Sequence, residues 1–212
     1  MTDKIKIDIV SDVVCPWCTV GYKRLEKAIS ELGIQDKVEI EWQPFELNPN
    51  MPEDGQNLNE HMMEKYRMSP EQLKQTQQQM VNAAADVDFD FNFNNKMLMV
   101  NTFEAHVLLE YAKEFGKQTE LKMELMKSYF SEGKDVSNKK ILKQALLNVE
   151  LNADEALSKL NDKEAIKEVR TKQDYWKNLG VSSVPTIVFN RKSAVTGAQP
   201  VSVLKNVFAE ML

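Results

Sequence analysis

Two cysteines stand three residues apart in Cys15-Pro16-Trp17-Cys18, and they are the only two in 212 residues. Sulfur attacks as the thiolate, and two thiols at this spacing can close a disulfide, hand it on or accept one. The preceding run, Ile5 to Val14, is apolar and β-branched and predicts a buried strand; Gly21 to Ile29 predicts a helix. The pair therefore falls where a strand passes into a helix, with Cys15 at or near the helix N terminus. Unpaired N–H groups and a partial positive charge at that end favour an anion. Residues i and i+3 of a first helical turn share a face, close enough for a disulfide. Pro16 suits that turn, because the N–H it lacks would have no helical partner. Cys15, outermost, is expected to be the nucleophile. Cys18, one turn in, is expected to be more buried and to resolve a mixed disulfide. Lys23 and Arg24 lie farther along the helix, so any lowering of the thiol pKa is expected from the helix end and the second thiol.

Two other uses of the pair stay open at this point. It could be half of a structural zinc site, but that needs four ligands, and the only histidines, His61 and His106, lack ligand spacing. It could also be two small buried apolar residues without chemistry. Pro-Trp between the cysteines, at a strand–helix junction, favours redox work.

The net charge of −5 offers no clustered basic face for nucleic acid. No apolar run approaches the ~18 residues of a membrane span, and the first residues show no secretory signal pattern. A cytoplasmic protein is expected, where a disulfide is more often transient and catalytic than structural.

The elements that must hold the pair bracket the chain. The strand Asp3–Val14, a helix over 17–32 closed by Gly33, and the alternating Val38-Glu39-Ile40-Glu41-Trp42 form a βαβ unit with a parallel pair. From residue 57 to 179 the pattern is almost wholly helical, over about 58–67, 70–85, 101–115, 119–131, 138–149, 153–161 and 163–179. Ser69-Pro70-Glu71-Gln72 is a capping box with proline at the first helical position. Phe89 to Asn94 is expected to cross between helices in extended form. Strand character returns at 184–190 and 194–196, ahead of a last helix over 201–211. The economical reading is one small α/β domain, residues 1–50 and 180–212, split by an all-helical insertion at 51–179. Val184-Pro185-Thr186 opens the returning strand; an ordinary trans proline on an edge strand is the plain alternative there.

The ordered set Asp8 to Cys18, Gly21, Phe45-Glu46-Leu47-Asn48-Pro49, Asn101 to His106, Gly180 to Pro185 and Val195 to Pro200 resembles the DsbA family, in its FrnE-like cytoplasmic branch. The resemblance covers essentially the whole chain. It implies a thioredoxin-like fold (βαβ … ββα) interrupted by a large helical insertion, and thiol–disulfide oxidoreductase activity. It implies a cis Val184–Pro185 loop beside the sulfurs, with Pro16 and Trp17 supporting Cys15 and Cys18. It also implies that Asn101, Thr102, His106 and Phe45 come near the substrate, although His106 filling a helix–sheet contact is at least as good a reading. No bound cofactor and no metal are expected. The expected partners are protein or small-molecule thiols and disulfides, with glutathione as a co-substrate or a thioredoxin-type protein as reductant. Related hydroxychromene-carboxylate isomerases and kappa-class glutathione transferases carry serine where this chain has Cys15, so a glutathione-dependent isomerase or transferase is the second reading. A redox-linked chaperone module is the third. For it, Met62, Met63, Met68, Met80, Met97 and Met99 are candidates for a polypeptide-binding lid, although such methionines are more often core.

Overall fold

The structure is a computed structural model that describes residues 4–212; Asp3, placed in the expected first strand, lies outside the described residues. In chain order the elements are β1 (Ile5–Ser11), α1 (Pro16–Leu32), β2 (Val38–Pro44), β3 (Gln56–Asn57), α2 (Leu58–Tyr66), α3 (Pro70–Ala85) and β4 (Leu98–Met99). They continue with α4 (Phe103–Glu114), α5 (Gln118–Phe130), α6 (Lys139–Asn148), α7 (Ala153–Ser158), α8 (Lys163–Asn178), β5 (Thr186–Phe189), β6 (Ser193–Thr196) and α9 (Val201–Ala209). The fold is α/β: a thioredoxin-like sheet with a helical insertion.

The main sheet has the order β2-β1-β5-β6. β1 and β2 are parallel, with Ile7 opposite Ile40 and Ile9 opposite Trp42. β5 joins β1 antiparallel, Ile9 facing Ile187, and β6 continues antiparallel. Successive side chains of a strand point to opposite faces, and both faces here are apolar. Ile5, Ile7 and Ile9 lie in the main core with Leu25 and Ala28 of α1 and Leu204 and Phe208 of α9. Val10 and Val188 pack instead with Phe45 and with Trp176 of α8.

In that second cluster α8, which composition groups with the helical stretch 51–179, packs on β2 and covers the sheet face that α1 and α9 leave bare. A sheet buried on both faces needs a helix on each. Trp176 Nε1 donates to Gln43 Oε1 at 3.1 Å and fastens the helix there.

The first strand ends earlier than the apolar run suggests, at Ser11. The reason is local. One Asp12 oxygen takes the Val13 N–H at 2.8 Å and the other takes the Leu47 N–H at 2.8 Å. That carboxylate turns the backbone out of the sheet just before Cys15. At the other edge, Gln118 Oε1 accepts from the Trp42 N–H and its Nε2 donates to the Trp42 carbonyl, at 2.9 and 3.0 Å. The side-chain amide stands in for a neighbouring strand, closes the exposed edge and docks the first turn of α5 on β2. The short antiparallel pair β3–β4 was not expected from the sequence. The segment 89–94 joins the helices without regular secondary structure, with Phe91 and Phe130 ring centroids 4.7 Å apart. Gly33 closes α1 in the left-handed conformation at φ 64°, which glycine adopts without a Cβ penalty.

Candidate active site

Cys15 occupies the N-cap position of α1 in extended conformation, and Pro16 is the first helical residue. The Cys18 N–H donates to the Cys15 carbonyl at 3.1 Å. Both cysteines are free thiols. Cys15 is 3% exposed and Cys18 fully buried, so the burial order is as expected but the difference is small.

The Cys15 Sγ lies 3.8 Å from the Val184 carbonyl oxygen, the reach of a weak thiol donor. The Val184–Pro185 peptide is cis. Three contacts hold this loop. The Gly197 N–H donates to the Pro185 carbonyl at 2.7 Å, and Arg24 Nη1 donates to the Ala198 carbonyl at 2.6 Å. Gly21 lets α1 approach: a Cβ built there would stand 3.1 Å from Pro185 Cγ and 3.5 Å from Ala198 Cα. Space, and not a positive φ, is what that glycine supplies.

Behind the sulfurs lies a buried polar cluster. His106 Nε2 is 3.0 Å from the Phe45 carbonyl oxygen and 3.3 Å from Asp12 Oδ1. Both are acceptors, so Nε2 carries the hydrogen and donates to both. Burial pushes the Asp12 carboxyl up, but His106, the Leu47 N–H and Lys122 outweigh it and hold the group below the usual carboxylate range. Lys122 of α5 is 1% exposed, with Nζ 5.1 Å from the centroid of the Trp42 ring. Burial pulls its ammonium down to about 8, against the negative charge of Cys18, Asp12 and Cys15.

This cluster corrects the electrostatic expectation. Burial pushes the Cys15 thiol up; the Cys18 thiol and Asp12 act the same way, and the Cys18 N–H acts against them. The helix end alone therefore does not make Cys15 a ready thiolate in the closed protein. A buried cation not singled out in the sequence, Lys122, interacts with both sulfurs. A signal for it existed: Leu121, Leu125, Met126 and Tyr129 form the buried face of α5, and Lys122 falls among them. Nothing in the sequence says what that face meets.

In front of Cys15 is an apolar cavity of about 270 Å³. Pro16, Trp17 and Val184 share its wall with Cys15, as do Met62, Met68, Met80 and Met99 of the six methionines singled out. Met97 is core, and Met63 is not on this wall. Asn101, Thr102, His106 and Phe45 do not line it either. Asn101 Oδ1 accepts the Phe103 N–H at 2.9 Å, Thr102 is buried at the N-cap of α4, and the Phe45 side chain packs against Val10, Trp176 and Val188. These contacts are made inside the protein, and His106 meets Asp12 and the Phe45 carbonyl there. His61, set aside in the sequence as isolated, does line the cavity.

The described residues hold no cluster of three or more His, Cys, Asp or Glu arranged for a metal. No described helix is long and apolar enough to cross a membrane.

The chain is similar to known proteins over nearly its full length. The uncharacterized protein YwbO of Bacillus subtilis (strain 168) is 26% identical over 192 residues, 87% of this chain and 86% of that protein. The crystal structure of the probable DsbA oxidoreductase SCO1869 from Streptomyces coelicolor is 31% identical, with TM-score 0.91, covering 97% of this chain and 89% of that one. The cytosolic disulfide reductase DsbM from Pseudomonas aeruginosa, solved with GSH, shares the fold at 13% identity, with TM-score 0.66 over 97% of this chain and 98% of that one. The DSBA-like thioredoxin domain matches residues 6–209, and the chain belongs to that family.

Proposed function

We propose that this protein is a thiol–disulfide oxidoreductase cycling between the Cys15–Cys18 dithiol and its disulfide. One observation carries the reading: Cys15 sits at a helix N-cap, 3.8 Å from the Val184 carbonyl, on the wall of a cavity large enough for a substrate group. In the reducing direction the Cys15 thiolate attacks one sulfur of a substrate disulfide. The other substrate sulfur leaves with the bonding pair and takes a proton. The Cys18 thiolate then attacks the Cys15 sulfur, releasing the second substrate thiol, and two electrons have passed to the substrate. Run backwards, the same steps oxidise a dithiol.

The protein's part is to stabilise each thiolate while excluding water. The α1 N terminus, the Cys18 N–H and the Lys122 ammonium favour the anion, and burial and Asp12 oppose it. The Lys122 ammonium interacts with the charge of both sulfurs, so it favours the dithiolate over the disulfide and raises the potential. The isomerase or transferase reading is weaker, because it gives Cys18 no role. The FrnE-like branch, a cytoplasmic setting and glutathione or a thioredoxin-type reductant complete the proposal. Their supports are the motif set, the cysteine usage and the likeness to a cytosolic reductase solved with GSH.

Cys18→Ser tests the mechanism. It should accumulate a mixed disulfide on Cys15 when challenged with a disulfide substrate, seen as an added mass lost on reduction. A variant that forms no adduct, or one that turns over as fast as the parent, overturns the proposal.

A further inference from the structure

Disulfide exchange makes a second anion besides the Cys15 thiolate, the substrate sulfur that departs. In the cavity before Cys15 that charge meets little that would stabilise it. The wall is mostly methionine, aromatic and aliphatic carbon, and the Val184 carbonyl beside Sγ is an acceptor. An ionised sulfur in such surroundings is costly unless a donor meets it.

Most polar side chains of the wall are engaged with other protein groups. Lys65 Nζ donates to the Leu47 carbonyl at 3.1 Å and to Asn48 Oδ1 at 2.6 Å. Gln77 Nε2 donates to Asn59 Oδ1 and the Tyr129 hydroxyl to the Leu98 carbonyl, both at 2.8 Å. His61 meets Gln56 Oε1 through Nδ1 at 2.8 Å. Two hydroxyls are left to weigh, Thr76 within α3 and Tyr66 at the end of α2.

Tyr66 is the better placed. Arg67 turns left-handed at φ 53°, and its N–H closes α2 on the Met63 carbonyl, so the helix ends at Tyr66. Lys65 ties the same turn to Leu47, whose N–H is held by the Asp12 carboxylate, and the Asp12 carbonyl accepts the Cys15 N–H at 3.4 Å. The turn that carries Tyr66 is thus fastened to the loop that carries Cys15. At 48% exposed, Tyr66 is a wall residue open to water, where a released thiol leaves the cavity. Burial raises the pKa of its hydroxyl and the charge of Cys15 acts the same way, so the oxygen keeps its hydrogen where thiols ionise. Cys15 acts on it through charge, without a hydrogen bond, which leaves room for a substrate sulfur between them.

We infer that Tyr66 is a catalytic residue of the exchange, its hydroxyl donating a hydrogen bond to the substrate sulfur that departs when Cys15 attacks. The Cys15 thiolate bonds to one substrate sulfur, the substrate S–S bond breaks, and the other sulfur takes the bonding pair. Tyr66 stabilises that anion and keeps its own hydrogen; the thiolate takes its proton from water as it leaves. This rests on the oxidoreductase reading and adds the group that meets the leaving sulfur.

The test uses the full-length protein carrying Cys18→Ser, so that adduct formation on Cys15, followed by mass, reads the first attack alone. Two uncharged disulfides are compared. Bis(2-hydroxyethyl) disulfide leaves its charge on sulfur, whereas 2,2′-dithiodipyridine spreads it into the ring and needs a donor less. Adding Tyr66→Phe should slow the first about tenfold, the worth of a hydrogen bond to a charged group, and the second by less than about twofold. Adding Thr76→Val instead should leave both rates unchanged. Alkylation of Cys15 by iodoacetamide releases no thiolate, so Tyr66→Phe should keep its rate and its pH midpoint. Unchanged exchange in Tyr66→Phe, equal slowing of the two disulfides, a shifted alkylation midpoint, or a loss that follows Thr76→Val overturns the assignment. If Cys18→Ser alone forms no adduct with either disulfide, the oxidoreductase reading itself fails.

Discussion

The chain has two histidines, both buried, and they differ in how fully their ring nitrogens are matched. His106, behind the pair, gives its Nε2 hydrogen to the Phe45 carbonyl and the Asp12 carboxylate and so ties α4 to the loop after β2. His61, in the wall before Cys15, spends one nitrogen on Gln56 and keeps the other unmatched. A donor whose acceptors are both inside the fold is a fastener. His61 fastens through one nitrogen alone. Sequence position separates neither, and chemical type does not either; only the accounting of partners does.

The comparison breaks most easily at the fastener. His106→Leu removes the partner of a fully buried carboxylate and should cost about 3–5 kcal/mol, read as a lower urea midpoint at unchanged m-value. His61→Leu replaces a half-satisfied ring with a hydrocarbon and should change stability by less than about 0.5 kcal/mol. Equal costs for the two would mean that His61 fastens as fully as His106.

The second effect in size belongs to Lys122. Its folded pKa, about 8, lies below its unfolded value of 10.5. Below pH 8 both states hold the proton, and the fold carries the full cost of the buried ammonium. Between 8 and 10.5 the unfolded chain binds more protons, so this residue makes stability rise with pH, by at most about 3 kcal/mol over the window. Other groups also titrate in the alkaline range, so the quantity to measure is the parent curve minus that of Lys122→Met. The difference should rise through that window and be flat below it. The same variant should lower the Cys15–Cys18 potential against glutathione and raise the pH at which the thiolate absorbance appears. A potential unchanged within error would detach Lys122 from the redox chemistry.

A smaller effect tests the loop that faces the sulfurs. In an ordinary helix Gly→Ala stabilises by about 1 kcal/mol. At position 21 the added Cβ meets Pro185 and Ala198, and overpacking costs about 1–3 kcal/mol. Gly21→Ala should therefore be destabilised by about 1 kcal/mol and exchange disulfides several-fold more slowly, because the Val184 carbonyl is displaced from Cys15. Parent-like rates with raised stability would show that the loop yields without consequence.

Much of this protein is legible along the chain, because much of it is decided locally. Gly33, the Ser69–Gln72 capping box and Pro70 set helix ends through neighbours within a few residues. The run Ile5–Ser11 forms its strand around the β-branched Ile5, Ile7, Ile9 and Val10, and Cys15-Pro16-Trp17-Cys18 takes its place from the strand before it and the helix after it. Those residues were enough to place the cysteine pair at a strand–helix junction, and the ordered motif set along the whole chain was enough to identify the family. What tertiary structure decided is everything that depends on burial and on partners distant in sequence. Asp12 shortened β1 by reaching Leu47, 35 residues away. α8 left the helical stretch to cover the second sheet face. Lys122 became a buried cation that feels the charge of the sulfurs, burial raised the Cys15 thiol against the helix end, and His61 was left with an unmatched nitrogen. A local pattern records what a segment prefers to form; whether a charge is dry or an acceptor unpaired depends on what the rest of the fold brings to it.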